Sequence, residues 1–237
     1  MTGKTSLWWV VTGAVLVLMI SHVCFAGGPV SFRSAKKLVN IIYRDHQRTF
    51  YCGCDYQQQG KKLVVGWPSC GYTPRKRPAR AARIEMEHIV PAYAFGHHRQ
   101  CWRTGGRHYC EKTDQVFNQM EGDLHNLVPA VGEINGDRSN YRFGMLVGEP
   151  RVYGRCDFEV DFNQRRVEPR PEKRGDIARI YFYFSDRYNL ELSQQQRKLF
   201  NAWSISDPVD AWECERDERI KTIQGNYNVY VSKFCHK

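Results

Sequence analysis

Two glutamates and a histidine stand close together in Arg83-Ile84-Glu85-Met86-Glu87-His88-Ile89-Val90-Pro91, where charged and apolar residues alternate until His88 breaks the pattern. Alternation of period two predicts a strand, and Pro91 ends regular pairing. His88 is the first polar residue on the Ile84/Met86 side, where a polar group is costly unless it has a partner or a task. A histidine with an ordinary pKa near 6.5 can take a proton from water at neutral pH. Magnesium binds through one or two protein oxygens and keeps several waters. The carboxylate of Glu87 and the amide of Asn135, in Gly132-Glu-Ile-Asn-Gly-Asp-Arg-Ser-Asn140, are the candidate donors. Together these groups suit phosphodiester hydrolysis, which needs an activated water and charge neutralisation at the phosphoryl oxygens. On its own the short Glu-x-Glu-His string describes a satisfied buried histidine beside two surface glutamates equally well. Adjacent strand residues face opposite sides, so Glu87 and His88 share a site only if the strand twists or ends there.

The elements that must position these residues follow in order. After a cysteine-bounded loop comes a second strand-like stretch, Asp123–Pro129, and then the opening of a helix at 132–140. Strand, loop, strand, helix is the layout of a ββα-metal site. Upstream, Ser31–Gln47 carries Leu38, Ile41, Ile42 and Tyr43 among Lys and Arg, as an amphipathic helix does. Residues 51–80 are rich in Gly, Pro and Cys, which predicts stapled loop with short strands. Downstream, Asp176 is the expected N-cap of a helix through Tyr188, although 179–184 reads as a strand too. Ser193 and Gln196 form a capping box, and Asp207-Pro208 begins a further helix that stops at Gly225. The Glu215–Arg219 pair lies on it at i,i+4.

Lys4, an apolar run from Trp8 to Ile20 and Ala26 describe an export signal over residues 1–26, too short for a spanning helix of about 20 apolar residues. Residues 27–237 are then one exported domain of the periplasm or the extracellular space, with no membrane segment, expected as a monomer. Of nine cysteines, removing Cys24 leaves Cys52, Cys54, Cys70, Cys101, Cys110, Cys156, Cys214 and Cys235. An even count in an exported chain points to disulfides. Sequence proximity suggests Cys101–Cys110 and Cys54–Cys70, which leaves Cys52–Cys156 and Cys214–Cys235. The formal charge of +10 favours encounter with polyanions. Arg75, Lys76, Arg77, Arg80, Arg83 and Arg138 are the candidate phosphate contacts, with a solvated loop the plainer account of residues 75–83.

The stretches Glu85–Ala92, Phe95–Trp102, Gly105–Arg107, His125–Leu127, Gly132–Asn140 and Trp212–Ile220 resemble the bacterial periplasmic and extracellular endonuclease I family, and the resemblance covers nearly all of the exported chain. It implies a non-specific nuclease of the His-Me finger class, acting on DNA and often RNA and leaving 5′-phosphate ends. It further implies that His88 is the general base, that Glu87 and Asn135 ligate Mg2+ (with Mn2+ able to replace it), and that Arg107 contacts the phosphate near the cut. The loop after Cys110 differs slightly in length, and the basic segment before Arg83 is this sequence's own. The expected fold is α+β: a disulfide-stapled single domain with a small sheet flanked by helices and the ββα element in a basic cleft. Two other readings compete: a basic binding protein that holds nucleic acid without cutting it, and a zinc hydrolase built on His97, His98, Cys101, His108 and Cys110. Asn126 is expected to brace the hairpin, and Glu85 to hold the site's electrostatics or pair with a nearby arginine.

Overall fold

Ser31 opens the first described element: its hydroxyl accepts a bond from the Ser34 amide at 3.3 Å and caps α1, Phe32–Ile42. The computed structural model describes residues 31–148 and 150–235, so the export signal expected over 1–26 lies outside the described residues. Helix α1 buries Ala35, Val39 and Ile42, at the spacing of a helix with one inward face. Ile41, expected on that face, is 52% exposed. Phe32, Lys36 and Asn40, each four residues apart, form a separate stripe along a large cleft.

The chain continues through a hairpin of β1 (Tyr56–Gln59) and β2 (Lys62–Val65), two short helices α2 (Trp67–Cys70) and α3 (Pro78–Ala81), then β3 (Ile84–His88). After α4 (Ala92–Gly96), the expected cysteine-bounded loop is two helices, α5 (Gln100–Thr113) and α6 (Gln115–Gly122). A single 3-10 turn at Leu124–Asn126 leads into β4 (Leu127–Val131), followed at once by α7 (Gly132–Arg138). Strands β5 (Arg142–Phe143), β6 (Phe158–Asp161) and β7 (Arg166–Pro169) form a sheet in the order β5-β7-β6, with β5 parallel to β7. Four helices close the chain: α8 (Arg174–Tyr188), α9 (Gln194–Ser206), α10 (Ala211–Gln224) and α11 (Val229–Ser232). The fold is thus the expected mixed α+β single domain, but with three small sheets among the described residues in place of one. No helix among the described residues is long and apolar enough to cross a membrane.

Helix α8 is the centre of the main core. Every residue from Gly175 to Phe184 is buried, and a helix apolar on all sides shows no 3.6-residue pattern in sequence. That is why Arg179–Phe184 could also pass for a strand. Asp176 sits in the first turn, and Lys173 holds the cap position. The helix placed after Asp207-Pro208 starts at Asp210, where the Asp210 carboxylate accepts from the Glu213 amide and the Glu213 carboxylate from the Asp210 amide. Asp207 is already engaged by the Gly175 amide at 2.8 Å. A smaller cluster beneath α1 joins Ala35, Val39 and Ile42 to Leu124, Leu127 and Ile220, with Met86 against it.

All four expected disulfides are present: Cys52–Cys156, Cys54–Cys70, Cys101–Cys110 and Cys214–Cys235. The first joins positions 104 residues apart, so it constrains the unfolded chain most. Replacing Cys52 and Cys156 together by alanine is expected to cost about 4 kcal/mol. Denaturant unfolding checks this, and a loss below about 1 kcal/mol would show that the bridge is not a principal staple.

Candidate active site

Strand β3 pairs antiparallel with β4, Glu87 opposite Val128 and His88 opposite Leu127, and β4 is buried along its whole length. The other edge of β3 is bridged only near its start, where Val64 meets Arg83. Every residue from Ala82 to His88 lines a cleft of about 970 Å3. The cleft therefore runs along the open edge of the strand and collects side chains from both of its faces. Glu87 and His88 share the site without a twist, because the site is at the edge.

His88 is buried, and its Nε2 lies 2.8 Å from the Glu121 carbonyl oxygen. A carbonyl only accepts, so Nε2 carries the proton and Nδ1 keeps its lone pair. Burial, helped by the charges of Arg107 and Arg138, pushes the imidazolium pKa down to about 3. The ring is therefore neutral at physiological pH, its pKa well below the ordinary value near 6.5 expected from sequence, and its Nδ1 is left unprotonated. Phe32 packs against it, ring centres 4.5 Å apart. Glu87 is also buried and accepts from the Tyr51 hydroxyl at 3.0 Å, with Arg138 Nη1 3.1 Å away. Both partners address Oε1, and among the described residues no side-chain donor addresses Oε2. Burial still pushes the Glu87 carboxyl up to about 7, against the pull of Arg138 and Tyr51. A buried carboxylate left partly uncompensated in this way fits a cation in the cleft.

Asn135 stands on α7 and lines the same cleft; its side-chain amide makes no hydrogen bond among the described residues. A carboxylate oxygen and an amide oxygen, with room for water, match the oxygen donors that magnesium takes. Arg107 reaches the cleft because α5 breaks at Gly105 and Gly106. Gly106 has φ 67° and ψ −164°, a region essentially confined to glycine. Beyond this break Arg107 donates from Nε to the Glu121 carboxylate at 2.6 Å and lies 5.3 Å from the Phe32 ring. Its Nη groups bond no residue among the described ones. Glu121 thus orients both His88, through its carbonyl, and Arg107, through its carboxylate. Glu121, Tyr51 and Phe32 were not singled out from sequence. Only the Phe32, Lys36, Asn40 stripe left a signal there, in its four-residue spacing.

The basic strip is placed differently from expectation. The Glu133 carboxylate accepts from the amides of Arg75, Lys76 and Arg77, and Asp137 pairs with the side chains of Arg75 and Arg77. Arg80 and Arg83 line the cleft, but both are bonded to Glu85, which settles Glu85 as a partner of arginines. Gly132 permits this: a Cβ there would stand 2.5 Å from the Arg80 carbonyl oxygen. Arg138 is a correction. It is fully buried and donates to the carbonyls of His88 and Ile89, so it cannot reach a phosphate. Lys36, Lys61 and Lys62, absent from the expected set, line the cleft instead. Asn126 braces the hairpin as expected, bonding the Val90 amide and carbonyl at 2.7 and 2.9 Å.

The zinc reading fails on the cysteines. Cys101 and Cys110 are bonded to each other, His97 is held by the Tyr93 carbonyl, and no group of three metal-binding side chains occurs among the described residues. Residues 31–235 match the sequence model of Endonuclease I. The chain belongs to the endonuclease I family. It is 51% identical to an extracellular deoxyribonuclease of Aeromonas hydrophila over 221 residues, covering 93% of this chain and 96% of the relative. A periplasmic deoxyribonuclease of the same organism is also 51% identical, covering 93% of each chain. Endonuclease-1 of Buchnera aphidicola subsp. Acyrthosiphon pisum is 48% identical over 87% of this chain and 82% of its own. This member of the endonuclease I family is an endonuclease exported to the periplasm or the extracellular space, which sets aside the binding-only reading. Gly106→Ala is expected to destabilise it by about 1–3 kcal/mol, since the added Cβ forbids the backbone angle. A denaturation midpoint equal to the parent's would show that the helix break is not what delivers Arg107.

Proposed function

We propose that this protein is a Mg2+-dependent endonuclease that hydrolyses DNA without sequence preference and leaves 5′-phosphate ends, with RNA a second substrate. The observation that carries the reading is His88, a neutral imidazole with Nδ1 unengaged, at the edge of a cleft that also holds Glu87, Asn135 and Arg107. Nδ1 takes a proton from a water in the cleft, and that water's oxygen attacks phosphorus as the P–O3′ bond breaks; the departing O3′ takes a proton from a second water, and the phosphate stays on the 5′ carbon. The Glu121 carbonyl steadies the imidazolium that forms by accepting from Nε2. Glu87 and Asn135 hold the metal. When bound, Mg2+ supplies positive charge that offsets the negative charge growing on the phosphoryl oxygens. Arg107, fixed through Nε, offers its remaining donors to the same phosphate. Lys36, Lys61 and Lys62 attract backbone phosphates, contacts that carry no sequence information.

Nicking of a supercoiled plasmid tests this. Cleavage is expected with Mg2+ or Mn2+, and none in EDTA. His88→Ala should lower the rate by at least about 100-fold while DNA affinity in EDTA changes little. A His88→Ala variant that cuts at the parent's rate sinks the assignment.

A further inference from the structure

A second cleft, of about 900 Å3, lies beyond the end of β3 and α7 and holds three arginines: Arg142, Arg165 and Arg166. None of the three has a carboxylate within salt-bridge distance among the described residues, in contrast to the strip at 75–83. Glu191 is the only acidic residue on the lining. Arg142 and Arg166 are register partners on the parallel strands β5 and β7, and both are exposed. Neighbouring strands lie about 4.8 Å apart, and like charges directly opposite one another destabilise a sheet. Arg165 has a φ of 57°, in the left-handed region that is strained for a residue with a side chain. It is held there with Nη2 on the Asn140 side chain at 3.0 Å and its guanidinium 5.4 Å from the Tyr141 ring. Two like charges abreast, with a third on the adjacent residue, form an arrangement that an anion relieves.

We propose that this cleft is an exosite for single-stranded nucleic acid, holding the phosphates of the substrate strand a few nucleotides from the cut; it rests on the nuclease reading above. Continuity with the active site supports it. Asn135 lines the first cleft and Tyr141 and Arg142 the second. Seven residues of chain, part helix and part extended, span at most about 18 Å. A few nucleotides of one strand bridge that distance. Tyr93, 48% exposed, stacks on His97 with ring centres 4.5 Å apart and planes 4° from parallel. A tyrosine ring propped in this way offers a platform for an unpaired base, and stacking of this kind needs no particular sequence.

Fluorescence anisotropy in EDTA on the exported chain, with 24- and 6-nucleotide oligothymidylates, tests this. Replacing Arg142, Arg165 and Arg166 together by glutamine is expected to weaken binding of the 24-mer at least tenfold. The slope of log Kd against log salt should fall by about 2, from three lost phosphate contacts. The 6-mer, short enough to lie in the first cleft alone, should change less than twofold. Arg142→Gln by itself should raise the denaturation midpoint while weakening the 24-mer, an opposition that a merely structural arginine would not show. The triple lysine variant should keep the salt slope. Equal 24-mer affinity in parent and glutamine variant, or loss of the slope in the lysine variant, overturns the exosite. Binding is read without cleavage, so failure here leaves the His88 assignment standing, and a parent that does not nick leaves this result standing.

Discussion

A guanidinium sealed from water keeps its charge, because arginine does not deprotonate in proteins, and its partners must therefore be held in place. Arg138 is such a group. It donates to the His88 carbonyl at 2.8 Å and to the Ile89 carbonyl, sits 3.1 Å from the Glu87 carboxylate, and lies 4.8 Å from the Phe143 ring. Removing one member of a buried pair of this kind costs about 3–5 kcal/mol. The end of α7 is thereby bound to the end of β3, where His88 and Glu87 stand side by side. Tyr51 donates to the same carboxylate oxygen, and its neighbour Cys52 is tied to Cys156. The disulfide frame and the site are in this sense one structure.

Around that constraint the active groups come from four directions. The open edge of β3 supplies Glu87 and His88, α7 supplies Asn135, the broken helix α5 supplies Arg107, and α1 closes the cleft with Phe32 and Lys36. Glu121, near the end of α6, holds His88 and Arg107 in place by bonding both. Glu121 and Phe32 touch both His88 and Arg107 and so set where the two side chains lie.

Much of this was legible in sequence, and the rest was hidden for definite reasons. The strand over 84–88 showed itself in its alternation of charged and apolar residues, whereas Asn135 and Arg107 were singled out by their resemblance to a family motif. The fate of the basic strip did not, because Glu133 and Asp137, which bind it, lie 56–62 residues further along the chain. Arg138 read as an ordinary basic residue at a helix end, since nothing local announces burial among carbonyls 49 and 50 residues away. Helix α8 lost its period because it is buried on all sides. The start of α10 slipped by three residues because two aspartates could cap it, and only the Gly175 amide, 32 residues away, decided between them.

The central claim is that His88 waits as a neutral ring, protonated on Nε2 and open at Nδ1. Long-range 1H–15N correlation spectra of the 15N-histidine-labelled protein at neutral pH read this directly and without any cleavage. The expected His88 spin system bears its proton on Nε2 and none on Nδ1. A His88 ring protonated at Nδ1, alone or together with Nε2, would contradict it.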